Sequence, residues 1–180
     1  MAVAASLLAI TTLPAAASSL STSGDTTGAP TFQRPVEDLS ALSLIGTAAH
    51  YAAYAFTAVS SGVYGFSTAG SFDTFVVLYD GTFQPTDGLM NALIANDDLT
   101  DASFSVSGFD FALVAGDAYT YVVTGFDNDE YGSYTTTIVA PDVASVPEPA
   151  TWALVAIGAL AALRRRRLVT RNFDTTGATK

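Results

Sequence analysis

Residues 72–80 read Phe-Asp-Thr-Phe-Val-Val-Leu-Tyr-Asp, and this stretch decides the class of fold. It is rich in the aromatic and β-branched residues that favour strands, and the Asp80-Gly81 pair after it marks a turn. Similar short runs alternate with Gly, Asp and Asn on both sides. They predict further strands at residues 51–58, 62–68, 92–95, 102–106, 109–114, 118–126 and 133–139.

Eight short strands at this spacing predict an all-β domain, a sandwich or a barrel. Lys, Glu, Leu and Met are scarce, so helix formers are few. One short helix is expected near residues 36–44, where Glu37 and Asp38 suit a helix N-terminus. Residues 18–31 read as a flexible lead-in, which places the domain at residues 32–139.

Several fragments of the domain together resemble the bacterial pre-peptidase C-terminal domain. They are a Phe-x5-Gly-x-Tyr-x-Phe stretch at 56–66, the strand ending in Leu-Tyr-Asp at 78–80, Ala-Asn-Asp-Asp at 95–98, Leu-Val-Ala-Gly-Asp-Ala-Tyr at 113–119 and Gly-Ser-Tyr at 132–134. The resemblance covers residues 54–138. It implies a jelly-roll-like antiparallel β-sandwich of about eight strands, of the kind that usually serves as an accessory module on exported proteins.

The composition excludes several classes of function. The chain has 17 acidic and 7 basic residues, one histidine and no cysteine, so it has no disulfides and no thiol nucleophile. Arg34 is the only basic residue before Arg164, which argues against nucleic acid as a partner. No phosphate-binding loop is visible, and no pair of carboxylates stands out as a catalytic acid and nucleophile. We therefore expect a protein that is not an enzyme.

The N-terminal residues 1–17 are apolar and small, although they lack a basic start. Ala15 and Ala17 supply the small-residue pattern that a signal peptidase recognises, with cleavage expected after Ala17. The sequence therefore predicts a secretory signal peptide.

The C-terminal region contains a second apolar run. A Pro-rich stalk at residues 140–149 ends in Pro147-Glu148-Pro149, and the apolar run 150–163 follows. A helix of this length rises about 21 Å, which is short of the ~30 Å hydrocarbon core, but flanking arginines extend such a span. Those arginines are Arg164, Arg165, Arg166 and Arg167. They predict a short transmembrane helix with a basic cytoplasmic tail at 164–180.

The order Pro-Glu-Pro, short apolar helix and arginine cluster resembles the PEP-CTERM sorting signal of Gram-negative bacteria. The thirteen residues after Arg167 depart from that pattern, because such signals normally end near the basic cluster. The resemblance implies export through the inner membrane, which would hold the helix only transiently. It also implies processing by an exosortase-type enzyme, followed by delivery to the cell surface or the extracellular polysaccharide.

The domain holds one acidic cluster that could bind a metal. If strand 72–79 pairs with strand 92–95, the strand ends bring several oxygen ligands together, as Ca²⁺ requires. Turn chemistry explains the same residues without a metal, because Asp and Asn bond their own backbone in turns. Both interpretations remain open for Asp73, Asp80, Asn96, Asp97, Asp98 and Asp101.

Two other groups have structural and functional interpretations. Asp127, Asp129 and Glu130 read as a solvated turn that could also hold a cation, and the tyrosines read as strand packing that could include a sugar platform. The sequence as a whole predicts an exported structural or adhesive surface protein. The alternatives are a calcium- or carbohydrate-binding module of the same matrix and, more distantly, a small secreted hydrolase.

Overall fold

The computed structural model of the chain describes residues 18–100 and 104–141, which form nine strands in two antiparallel sheets. The four-stranded sheet has the order β1-β9-β4-β7, and the five-stranded sheet has the order β2-β3-β8-β5-β6. The strands are β1 (Ser19–Asp25), β2 (Thr31–Phe32), β3 (Ala49–Thr57), β4 (Gly62–Gly70), β5 (Thr74–Asp80), β6 (Ala92–Asn96), β7 (Val106–Leu113), β8 (Ala118–Gly125) and β9 (Ser133–Val139). The prediction of an all-β sandwich is confirmed.

The main core lies between the two sheets. Alternate residues of each strand point inward, so Phe66 and Phe109 of the four-stranded sheet meet Tyr121 of the five-stranded sheet. The Phe66 and Tyr121 rings stack with their centroids 5.2 Å apart. At the centre Thr68 links the layers, because its hydroxyl bonds the Tyr121 hydroxyl at 2.9 Å.

A second apolar cluster covers the outer face of the five-stranded sheet. Phe75, Val77 and Tyr79 point away from the main core and are almost fully buried against Phe32 and Phe83. Phe32 of β2, Leu39 of the loop after β2 and Phe83 of the loop between β5 and β6 supply this cover. As a result β5 is buried on both of its faces.

Two segments differ from the sequence-based predictions. Residues 18–31, expected to be a flexible lead-in, contain β1 and the first residue of β2. The stretch 36–44 is not a helix: it forms turns closed by an isolated bridge between Pro35 and Leu42. The Asp38 carboxylate accepts a bond from the Ser40 backbone N–H at 3.0 Å, which stabilises a local turn instead of a helix.

One strand, β7, replaces the two predicted at 102–106 and 109–114. Gly108, between the two predicted strands, lies within β7 opposite Ser67. A Cβ at Gly108 would collide with the carbonyl oxygen of Phe66, so glycine permits the close approach of β7 to β4.

Several predictions lie outside the described residues. These are the signal peptide 1–17 with Ala15 and Ala17, the sorting residues from Pro147 to Arg167, the tail to 180, and Asp101. Within residues 18–100 and 104–141, no helix is long and apolar enough to cross a membrane.

Candidate functional site

The candidate site lies where β5 begins and β6 ends. These strands pair antiparallel, with Val76 opposite Asn96, so the first residue before β5 and the first residues after β6 meet at one edge. Asp73 precedes β5, while Asp97 and Asp98 follow β6. One carboxylate oxygen from each of the three lies within 4.8 Å of the others. We call this group the carboxylate triad.

The triad holds acceptors without donors. The Oδ1 atoms of Asp73, Asp97 and Asp98 are buried and have no hydrogen-bond partner among the described residues. An unsatisfied buried acceptor costs free energy, and a charged one costs more. Three carboxylates that lie close together and each hold one such atom would be stabilised by a proton or a cation between them.

The electrostatics of the triad favour added positive charge. Burial, followed by the charges of Asp73 and Asp98, raises the pKa of Asp97 to about 7. Burial, followed by the charges of Asp98, Glu130 and other acids, raises the pKa of Asp73 to about 6. A carboxyl group keeps its proton near neutral pH when burial and neighbouring negative charges destabilise the ionised form more than nearby positive charges and hydrogen-bond donors stabilise it.

Arg34 is the only arginine or lysine in residues 18–100 and 104–141, and it is 2% exposed. Its guanidinium lies 4.1 Å from the Phe75 ring centroid and 4.8 Å from that of Phe126. Its Nε donates to the Phe126 carbonyl at 2.8 Å, and its Nη1 donates to the Pro35 carbonyl at 2.9 Å. These bonds fix the position of the Arg34 side chain and give it a structural role. Its charge lowers the pKa of Asp73 and Asp97 but does not offset burial.

Polar residues around the triad fix its position. The Asp73 backbone N–H donates to Glu130 Oε2 at 2.9 Å. Asn96 Oδ1 accepts from the Gly108 N–H at 2.9 Å, and its Nδ2 donates to Glu37 Oε1 at 3.0 Å. The amide of Asn96 is therefore committed to tying the end of β6 to β7 and to the loop after β2.

The structure separates the six residues that the sequence grouped as candidate ligands. Asp73, Asp97 and Asp98 come together, while Asn96 has a structural role and Asp101 lies outside the described residues. Asp80 does not join them, because it lies at the other end of β5, about 23 Å from Asp73 at the usual rise per residue of a strand. Grouping Asp80 with the triad was therefore wrong.

The structure also joins residues that the sequence kept apart. Asp127 and Glu130 of the second acidic group lie near enough to raise the pKa of Asp73. Asp129 takes no such part: its backbone N–H donates to Asp127 Oδ1 at 2.8 Å, which forms a local turn. A Cβ at Gly125 would collide with the Glu130 carbonyl, so this glycine lets the acidic turn fold back against β8. In the sequence, the only signal for this contact between the acidic turn and β8 is the glycine at position 125.

The histidine of the domain and most of its tyrosines have structural roles. The Nδ1 atom of His50 bonds the Ala29 carbonyl at 2.6 Å, and its ring packs edge-on against Tyr131. Most tyrosines are buried in the two apolar clusters, which leaves little aromatic surface for sugar stacking; those buried are Tyr64, Tyr79, Tyr119, Tyr121 and Tyr134. The chemistry of the site is thus that of hard oxygen ligands, which suits Ca²⁺ or Mg²⁺.

Comparisons with known proteins identify one motif in the chain. Residues 145–167 match the PEP-CTERM protein-sorting motif, so the chain carries this sorting signal. The motif implies an exported protein that an exosortase-type enzyme processes, and it is found in proteins that Gram-negative bacteria deliver to the cell surface. No curated protein matches the chain significantly.

Among solved structures, the fold is similar to the pre-peptidase C-terminal domain of a collagenase from Bacillus anthracis. That similarity has a TM-score of 0.41 at 16% identity and covers 66% of this chain and 87% of that one. The K3 cleaved adhesin domain of Lys-gingipain from Porphyromonas gingivalis is similar with a TM-score of 0.32 at 12% identity. It covers 67% of this chain and 91% of that one.

Proposed function

We propose that the chain is a non-catalytic structural or adhesive component of the cell surface or extracellular polysaccharide, delivered there by exosortase processing. The observation that carries this proposal is the sorting motif at 145–167, which begins six residues after β9 ends at Val139. On this proposal, the folded sandwich is the part of the chain that the sorting signal delivers. We place signal peptide cleavage after Ala17 and processing at Pro147-Glu148-Pro149.

The test compares Glu148→Ala with the control Asp142→Ala, which removes one acid from the same stalk outside the motif. We expect the wild-type and control proteins to leave the membrane fraction with an intact mass that lacks the apolar run 150–163. The Glu148→Ala protein should stay in the membrane fraction and keep that run. Normal processing of the Glu148→Ala protein would contradict the sorting part of the proposal.

A second candidate function is divalent cation binding by the sandwich. The supporting observation is the carboxylate triad, with three buried acceptor atoms that lack partners. Ca²⁺ takes six to eight oxygen ligands, so water or backbone carbonyls would complete the set around Asp73, Asp97 and Asp98. A bound cation would remove the repulsion within the triad, and it offers a way to bridge an acidic protein to an anionic polysaccharide.

The test is the thermal midpoint of the full chain in detergent, with added Ca²⁺ and then with chelator. We expect Ca²⁺ to raise the midpoint of the wild type by several degrees, since a ligand that binds only the folded state stabilises it. Asp97→Asn should abolish the response. Asp80→Asn removes the same charge at the opposite end of β5 and should keep it. A wild-type midpoint that ignores Ca²⁺ would sink this candidate.

A further inference from the structure

Strand β1 forms one edge of the four-stranded sheet and pairs only with β9 among the described strands. The Ala140 N–H donates to the Ser18 carbonyl at 2.8 Å, and the Thr26 N–H donates to the Gly132 carbonyl at 2.9 Å. These two bonds bracket the ladder, so the even-numbered residues of β1 bond to β9. The odd-numbered residues therefore present their N–H and C=O groups outward; they are Ser19, Ser21, Ser23 and Asp25.

The other sheet edges in the described part of the chain carry protection that β1 lacks. Strand β2 has only two residues, and the β5–β6 pairing has a register shift at Leu78/Tyr79. Strand β7 carries the exposed Asp110, and its Val106 carbonyl accepts the Leu99 N–H at 2.8 Å. An unprotected edge is a template for an added strand.

Strand β1 has none of these protective features along its length. It runs for seven residues without proline or a shift in its pairing with β9, and its only charge is the terminal Asp25. Most of its side chains are exposed, and Leu20 is 65% exposed although it lies on the face that points toward the core. An exposed apolar side chain beside backbone donors that have no partner among the described residues indicates a surface suited to strand addition.

We propose that this edge joins two copies of the chain through antiparallel pairing of β1 with β1 of the second copy, centred on Thr22. This register places Ser21 opposite Ser23 and Ser19 opposite Asp25 of the second copy. All four residues whose backbone groups point outward then pair. Moving the twofold axis by one residue, to Ser21 or Ser23, would leave some of them unpaired. The two sheets become one continuous eight-stranded sheet with a twofold axis at Thr22.

The side chains on the core-facing side fit this register. Leu20 falls opposite Gly24 of the second copy, and glycine offers no Cβ to oppose it. Position 24 requires glycine, because a Cβ there would collide with the Tyr134 hydroxyl, which is hydrogen-bonded to the Tyr54 hydroxyl. The exposed Leu20 would thus be covered without a clash at the strand.

Charge makes the pairing salt-dependent. Within residues 18–141 the sequence has Arg34 as its only basic residue and many acidic residues, so two copies repel each other at long range. Added salt screens this repulsion, since the Debye length falls from about 10 Å at 0.1 M to about 3 Å at 1 M. We therefore expect self-association of the chain to strengthen as salt is added.

The first test uses the absence of native cysteine, with the full chain in non-ionic detergent under a mild oxidant. Thr22→Cys places two thiols at a non-hydrogen-bonded pair about 4.5 Å apart at Cα, which allows a disulfide. The control Ser23→Cys places them about 8 Å apart, beyond the limit of about 7 Å. We expect cross-linked dimer several-fold faster with Thr22→Cys; equal rates, no dimer, or faster reaction of Ser23→Cys would overturn the proposal.

The second test removes one outward donor. Ser21→Pro deletes an N–H that does not bond to β9, and proline is tolerated at an edge strand in that setting. Ser21→Ala is the matched control. By sedimentation, we expect self-association of the full chain to weaken at least tenfold in Ser21→Pro only, with an unchanged thermal midpoint. Equal association of both variants would contradict the proposal, and exosortase processing is independent of either result.

Discussion

The two sheets of this sandwich treat their outer faces differently. The five-stranded sheet is covered by loops that bury Phe75, Val77 and Tyr79 in a second apolar cluster. The four-stranded sheet carries small polar residues such as Ser67 and Thr137 on its outer face, and no described loop covers them in a comparable cluster. The difference shows where stability resides: β5 and β8 contribute to two apolar clusters, while β4 and β9 contribute to one.

Tyr79→Ala should have the largest effect among the substitutions that test this comparison. The side chain is fully buried, and its hydroxyl donates to the Gly88 carbonyl at 2.9 Å. We expect a loss of about 3–5 kcal/mol in the free energy of unfolding, measured by urea denaturation. Val63→Ala on the open face is the control and should cost under about 1 kcal/mol, because Val63 is largely exposed. Similar losses for the two would refute the asymmetry.

Arg34→Met should have the next largest effect, since it keeps an unbranched apolar stem but removes the guanidinium, with its charge and its hydrogen-bond donors. The carbonyls of Phe126 and Pro35 would lose their donors in a buried place. We expect a loss of about 2–3 kcal/mol in urea denaturation at pH 7. A change below about 0.5 kcal/mol would mean that the cover of the five-stranded sheet does not depend on this cation.

The carboxylate triad should make stability fall as pH rises in the presence of chelator. The folded state holds pKa values of about 7 for Asp97 and about 6 for Asp73, against 3.8 when unfolded. The folded state therefore binds more protons between about pH 4 and pH 7, and the free energy of unfolding declines over that range.

Partial solvent exposure reduces the size of this decline, which we expect to be about 1–2 kcal/mol. The measurement is urea denaturation at pH 5 and pH 7.5. Asp97→Asn should flatten the profile, whereas Asp80→Asn should leave it unchanged. Stability of the wild type that rises across this range would contradict the buried, uncompensated state of the triad.

Gly65→Ala should have the smallest effect. A Cβ there would lie 3.2 Å from Asp110 Oδ1 and 3.9 Å from the Val139 Cβ on the open face. We expect a change within about 0.5 kcal/mol in thermal unfolding. The contrasting variant is Gly125→Ala, whose Cβ would collide with the Glu130 carbonyl on the other sheet. A large loss in Gly65→Ala would show that the open face is packed more tightly than its exposure indicates.

Much of the fold could be predicted because strand signals are local. Residues 133–139 were predicted as a strand and form β9, and residues 118–126 contain β8. Strand β1 was missed, because Gly24 and Asp25 have low strand propensity and a stretch rich in Ser and Gly is typical of flexible linkers. Its pairing with β9, more than a hundred residues away, overrides that local preference.

The candidate site was half predictable for a related reason. The pairing of β5 with β6 follows from two local strand patterns, and it places Asp73 beside Asp97 and Asp98. Asp80 was grouped with them because the pairing of the two strands was expected to bring their ends together, but the two ends of one strand lie apart at about 3.3 Å per residue. Arg34 gave no signal, since its place between Phe75 and Phe126 depends on contacts across the sheet.

The sequence by itself determined most of the strands, the sorting motif and the acidity of the chain, because strand propensity, short linear signals and charge depend on local sequence. Only the tertiary structure decided which carboxylates meet, which sheet face is covered and which strand edge stays open. These properties arise from pairing between distant segments, where burial removes water from some groups and leaves others exposed. The same acidic residue type thus yields an ordinary surface charge at Asp80 and a candidate cation ligand at Asp97.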